Sequence, residues 1–277
     1  MKSRFEDNDI ESPRLIAEML LTHVLGGQRI DLYANIDRIA TDDERETLRT
    51  FVKRTLEHEP VQYIVGKAWF NGLEFSVNSS TLIPRTCTET IVDQCLHYCS
   101  NNTFENEPKI ADIGTGSGCI AISIAVHLSP CSIIASDISE DALLLASENA
   151  DIHGVQDTIS CVQGDGLSTI QHQGPFDVIC SNPPYIPDAE MEQLAPNVKQ
   201  WEPKLALSGG QNGLQVIGPM IETAPALLHS GGMLLLELAA STKSQVLELA
   251  CSNNDYQDAT ILRDRFGDDR FLRVMKR

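Results

Sequence analysis

From Lys109 onward the chain repeats one phrase, a short apolar run, a turn and then a helical pattern, and this alternation restricts the fold more than any other feature of its 277 residues. Strand-like runs lie at 109–114, 132–137, 158–163 and 176–181, with helix-like periodicity at 119–127 and 141–150 between them. Parallel strands need a long crossover, usually a helix, so the pattern predicts an α/β domain with a parallel sheet covered on both faces. A late set of strands is expected at 233–238, 259–262 and 270–275.

The first sixty or so residues read differently. Apolar positions 15, 16, 19, 20 and 24 follow helical spacing, with Ser12 as cap, Pro13 in the first turn and Gly26 beyond the end. Thr41-Asp42-Asp43-Glu44 has the form of a capping box and opens a second helix that Pro60 stops. Phe51 and Tyr63 are expected in the core of this helical region. Two strands, 67–70 and 73–77, flank Asn71-Gly72, the dipeptide best suited to a tight hairpin turn. The expected organisation is a helical domain with a hairpin linker at 1–77 and a second domain at 78–277.

Composition removes several classes of function. No apolar stretch approaches the length needed to cross a bilayer, and the first ten residues carry no apolar run, so a cytoplasmic protein is expected. The eight cysteines have no repeated metal-ligand spacing. Cys95 and Cys99 around His97 read as the packing face of one helix, and no metal is expected. A formal charge of −18 disfavours a protein that binds by neutralising many phosphates.

The segment Asp112-Ile113-Gly114-Thr115-Gly116-Ser117-Gly118 follows a strand and opens a helix, so backbone N–H groups there are accessible to a ligand. Cys119 replaces the third glycine of a dinucleotide fingerprint, and the Gly-Lys-Ser/Thr ending of a phosphate loop is missing. Asp137 closes the second strand, 23 residues after Gly114, where a carboxylate can accept from both hydroxyls of an unphosphorylated ribose. Asp165, after the third strand, is placed to meet the amine of an adenine. Adenosine with an amino-acid tail fits this set, and S-adenosylmethionine is the expected cofactor.

Ser181-Asn182-Pro183-Pro184-Tyr185 follows the fourth strand, at the end where open α/β sheets keep their ligands. The lone pair of an amide or aniline-type nitrogen is delocalised, so a site that alkylates it must work by positioning. The Asn182 side-chain carbonyl and the Pro183 backbone carbonyl are suited to accept the two N–H hydrogens of such an NH₂ group. Two prolines stiffen the segment, and the Tyr185 ring offers a face to a flat group. Asn182, Pro183 and Tyr185 are therefore the expected catalytic residues, with Pro184 joining them around the substrate.

These residues, together with SPRLIAEMLLTHVLG, HEPVQYIVGKAWFNGLEFSV, TLIPRTCTET, WEPKLALSGGQNGL and MLLLELAAS, resemble the bacterial N5-glutamine methyltransferases that act on peptide chain release factors. The resemblance runs over nearly the whole chain. It implies a Rossmann-like class I methyltransferase domain with a seven-stranded, mostly parallel sheet, preceded by a small helical domain that helps recognise the release factor. It implies that Gly114, Thr115, Gly116, Ser117, Gly118, Asp137 and Asn182 contact the cofactor. It also implies that Asn182 to Tyr185 hold a glutamine, which in that family belongs to a Gly-Gly-Gln loop of the release factor.

The chain departs from the family at three places. Thr86 and Cys87 replace a Pro-Asp pair, Gly166 follows Asp165 in place of a bulky residue, and Ala239 follows Leu238 where glycine is usual. A sister family that methylates a glutamine of a ribosomal protein shares KAWFNGLEF, and adenine-N6 methyltransferases of nucleic acid share the Asn-Pro-Pro-Tyr segment, so both substrates are alternatives. The chain also contains Gly26-Gly27-Gln28 and Gly209-Gly210-Gln211, which read as loops.

Overall fold

The computed structural model describes residues 1–277, which form two compact units, Met1–Lys67 with Leu194–Trp201 and Ala68–Gln193 with Glu202–Arg277. The first unit is helical, with α1 (Lys2–Glu6), α2 (Pro13–Leu25), α3 (Asp31–Ala34), α4 (Asp42–Leu56) and α5 (Val61–Val65). Its core gathers Phe5, Ala17, Leu20, Leu48, Val61 and Ile64, with Phe51 packed against it and Tyr63 buried. Phe5 puts α1 into that core although the surrounding sequence is charged.

The capping box forms as expected: the Glu44 N–H donates to Thr41 Oγ1 at 3.2 Å and the Thr41 N–H donates to Glu44 Oε2 at 2.8 Å. Ser12 does not cap α2 through its side chain, because its backbone is left-handed (φ 50°) and its hydroxyl makes no capping bond. Glu18 of α2 is buried among Arg14, Arg29 and Tyr33, which all donate to it. Those bonds, the Tyr33 hydroxyl foremost, hold its carboxyl down at about 2.

The second unit opens with the hairpin β1 (Lys67–Phe70) and β2 (Leu73–Ser76), turned by Asn71 (φ 48°) and Gly72 (φ 76°). The unit boundary falls at residue 67 rather than at the expected 77. The reason is packing: Phe70 and Phe75 of the hairpin are fully buried in the core of the second unit.

There follow α6 (Glu89–Asn101), β3 (Lys109–Ile113), α7 (Cys119–His127), β4 (Ser132–Asp137), α8 (Glu140–Ile152), β5 (Ile159–Gln163), β6 (Phe176–Ser181) and α9 (Asp188–Met191). Next is α10 (Pro196–Trp201), which belongs to the first unit and whose Trp201 indole N–H donates to the Glu57 carbonyl at 3.2 Å. The chain ends with α11 (Ile217–Thr223), β7 (Leu228–Glu237), α12 (Lys243–Ser252), β8 (Tyr256–Arg263) and β9 (Asp269–Lys276).

The seven strands lie in the order β5-β4-β3-β6-β7-β9-β8. All run parallel except β9, which is antiparallel to both neighbours. The fold expected from the alternation is therefore present, including all three late strands. Alternate residues serve opposite faces: Ile110, Val178 and Leu235 enter one core, while Ala111, Ile179 and Leu236 enter the other. Cys95 and Cys99 lie buried on α6 in the first of these cores, which is the packing role expected for them. At the sheet's last strand, β8, the ladder is interrupted by a bulge between Gln257 and Thr260, where Asp258 is left-handed (φ 54°). No helix is long and apolar enough to cross a membrane.

Candidate active site

The carboxyl ends of β3, β4 and β6 are brought level by the register, Ile113 pairing with both Ser136 and Ser181. Strand order reverses at β3, where the chain runs outward to β4 and β5 on one side and later to β6 and β7 on the other. A crevice at that switch point is the usual ligand site of such sheets. The cleft found there is lined by Gly114, Thr115, Gly116, Ser117, Asp137, Asp165, Asn182, Pro183 and Pro184. Ile113, Ile138, Ala142, Leu205 and Val216 supply its apolar walls.

The glycine loop is held in place by backbone and carboxylate together. The N–H groups of Gly114 and Thr115 donate to the Ser136 carbonyl at 2.8 and 2.9 Å. The Gly116 N–H donates to Asp137 Oδ2 at 2.9 Å, and the Ser139 N–H to Asp137 Oδ1 at 3.0 Å. Asp137 thus has one bond on each oxygen and a lone pair on each left for a ligand. Asp165 is exposed on the cleft wall, two residues beyond the end of β5.

Gly118 does not line the cleft. A Cβ there would lie 2.8 Å from Ile122 Cδ1 and 3.2 Å from Ala146 Cβ, so this glycine lets α7 and α8 approach.

Asp112 sits beneath the loop, fully buried. Its Oδ2 accepts from the Thr115 hydroxyl at 2.7 Å and the Ala121 N–H at 3.2 Å, while Oδ1 has no partner. Burial pushes its carboxyl up to about 7 against the pull of those two bonds.

On the other wall, the Asn182 Nδ2 donates to Thr88 Oγ1 at 3.3 Å, and that hydroxyl donates to Glu237 Oε2 at 2.7 Å. Tyr185 is turned away from the cleft. Its hydroxyl donates to Glu237 Oε1 at 3.0 Å, and its ring packs on the core beside β7. The Cys87 thiol lies 3.9 Å from the same oxygen. Glu237, Thr88 and Cys87 were not assigned to the site by sequence, although a single carboxylate in the apolar run MLLLELAA is itself a signal, because a buried Glu needs partners. Burial raises the Glu237 carboxyl, opposed by the Thr88 and Tyr185 bonds and by the charge of Arg270.

Beyond Tyr185 the backbone is strapped to residues 207–210: the Ile186 N–H donates to the Leu207 carbonyl at 3.0 Å and the Gly209 N–H to the Ile186 carbonyl at 2.9 Å. A Cβ at Gly209 would stand 2.8 Å from the Tyr185 backbone. Gly209-Gly210-Gln211 is thus a buttress with both glycines buried, and Gly26-Gly27-Gln28 is a turn in which Asp31 accepts from the Gln28 N–H.

The N–H groups of Gly114, Thr115 and Gly116, expected to be accessible, are engaged within the protein, so the cleft's polar groups fit an adenosyl cofactor chiefly as acceptors. The position a Cβ of Gly114 would take has no atom within 4 Å, so the loop backbone is open to a ligand. Asp137 stands next to apolar Ile138, as a ribose beside a base requires.

Comparison with known proteins adds matches of three kinds, to family models, to relatives and to a solved structure. Residues 1–66 match the family described as PrmC N-terminal domain, and residues 94–198 match the methyltransferase small domain. A protein of Chlorobaculum tepidum named release factor glutamine methyltransferase is 41% identical, over 98% of this chain and 93% of its own length. One of the same name from Rhodopirellula baltica is 35% identical, over 98% and 92% respectively. Among solved structures, the hMettl16 catalytic domain aligns with a TM-score of 0.56 at 15% identity, over 85% of this chain and 82% of that one, a likeness of fold alone.

Proposed function

The chain belongs to the release factor glutamine methyltransferases, and from that premise we propose that it moves a methyl group from S-adenosylmethionine to the side-chain amide N5 of the glutamine in a release factor's Gly-Gly-Gln loop. The observation that carries the reading is the placement of Asn182 and Pro183 on the wall of the cleft that the glycine loop and Asp137 also line. Gly114 to Ser117 offer backbone to the cofactor, Asp137 accepts from its ribose hydroxyls, and Asp165 meets its adenine amine. Bound S-adenosylmethionine would supply an electrophilic methyl group on a sulfonium, whose S–CH₃ bond breaks as the N–CH₃ bond forms and whose sulfur keeps the electron pair as a neutral thioether.

The residues of this chain do the rest by position. Asn182 Oδ1 and the Pro183 carbonyl each accept one N–H of the substrate amide and fix its nitrogen for in-line attack. Both oxygens also favour the positive charge that grows on that nitrogen, and more so where water is excluded. Glu237 does not line the cleft and serves no substrate proton directly. The alkylated amide cation is itself a strong acid, so its proton leaves through these acceptors to water. The helical unit, with its own matched domain, is assigned to recognition of the release factor.

The test is an assay with labelled S-adenosylmethionine against a release factor and its Gly-Gly-Ala variant. Label is expected on the first alone, and Asn182→Ala should lower turnover by about 10²-fold or more. Label on a ribosomal protein or on DNA instead, or full activity without Asn182, would overturn the reading.

A further inference from the structure

Thr88 and Glu237 lie 149 positions apart in sequence, yet they are joined to Asn182 by two consecutive hydrogen bonds. The chemistry of the three groups makes that chain directional. A carboxylate only accepts, and this one is surrounded by the Thr88 hydroxyl, the Tyr185 hydroxyl and the Cys87 thiol, with the Arg270 charge near it. Threonine has a single hydroxyl hydrogen. Once that hydrogen is given to Glu237, the oxygen can only accept from Asn182. An asparagine side chain carries a donor end and an acceptor end of nearly equal size, and steric fit does not choose between them.

We infer that Glu237 and Thr88 are positioning residues for methyl transfer: together they bind the Asn182 NH₂ group and thereby turn its carbonyl oxygen toward the substrate amide. The inference rests on the reading of Asn182 as the holder of that amide. A flipped Asn182 would point an N–H at the substrate N–H, repel it and disfavour the charge that develops on nitrogen. Glu237 holds the neighbouring Tyr185 hydroxyl with its other oxygen, so one buried carboxylate anchors both ends of the Asn-Pro-Pro-Tyr segment.

The effect belongs to the chemical step, which distinguishes it from a merely structural role. Thr88→Val keeps the shape and removes the acceptor, so kcat should fall by about 10-fold or more while the dissociation constant for S-adenosylmethionine, measured separately by calorimetry, stays within about 2-fold. Thr88→Ser restores the hydroxyl and should recover most of kcat. Valine also leaves a buried carboxylate oxygen without its donor; should that variant fail to fold, Thr88→Cys keeps a donor for Glu237 and offers Asn182 only a weak acceptor. The cysteine variant should fold, bind cofactor and show the same loss of kcat. Full kcat in a folded Val or Cys variant, with Asn182→Ala inactive, would overturn the inference and leave the role of Asn182 intact. Activity retained in Asn182→Ala would instead remove the reading beneath it.

Discussion

Asp112 shows how a single residue can couple the site to stability. Its ordinary carboxyl value of 3.8 is raised to about 7 by complete burial. Between those values the unfolded chain has released a proton that the folded chain retains, so stability declines as pH rises through this window and levels off above it. Asp112→Asn has no proton to lose. It should be most favourable relative to the parent at about pH 8 and least so at about pH 5, as read by denaturant unfolding at both. A difference independent of pH would show that Asp112 titrates normally. Legibility at this scale follows locality. Asp137 closes a strand and Asn182 directly follows one, so sequence alone could place both at the carboxyl end of the sheet, and both line the cleft. Glu237 and Thr88 could not, because their partnership depends on a contact between β7 and the start of α6 that no local spacing encodes. Tyr185 was legible as part of the segment but not in its orientation, which Glu237 decides.

Among the elements, the strands and the first two crossover helices were legible, because alternation and periodicity follow from burial on two faces of a sheet, whereas the helices at Ile217–Thr223 and Lys243–Ser252 were not expected. The helix at Cys119–His127 and the strands at Ser132–Asp137 and Phe176–Ser181 occupy the residues expected. What periodicity could not reveal is close backbone contact. The strap at residues 207–210 approaches the Tyr185 backbone so closely that its importance lies in the space Gly209 leaves there. Gly209→Ala would force a methyl group against rigid backbone, at a cost of about 1–3 kcal/mol. The melting temperature should fall and kcat should fall with it, since Tyr185 stands only two residues beyond the acceptor carbonyl of Pro183. An alanine variant with unchanged melting temperature would show that the strap yields.

At the scale of the molecule, the two units were foreseen but their border was not. A hairpin reads as a linker when only its turn is visible, and as core once Phe70 and Phe75 are seen buried. Likewise, nothing in the sequence of residues 194–201 ties them to a helical unit that begins at residue 1. The formal charge of −18 acts on the whole chain, because excess like charge opposes compaction. Raising ionic strength from about 0.01 M to about 0.15 M shortens the screening length from about 30 Å to about 8 Å and should raise the melting temperature. A melting temperature insensitive to salt would mean that local pairing already neutralises the repulsion.

The bulge at Asp258 has a bearing on what the molecule avoids. Strand β8 ends the sheet, and a straight outermost strand offers an unbroken row of amide groups onto which a foreign strand could zip. The extra residue between Gln257 and Thr260 breaks that row and increases the local twist. The row is left in two short pieces, 256–257 and 260–263, an arrangement that disfavours edge-to-edge stitching between crowded copies along this border.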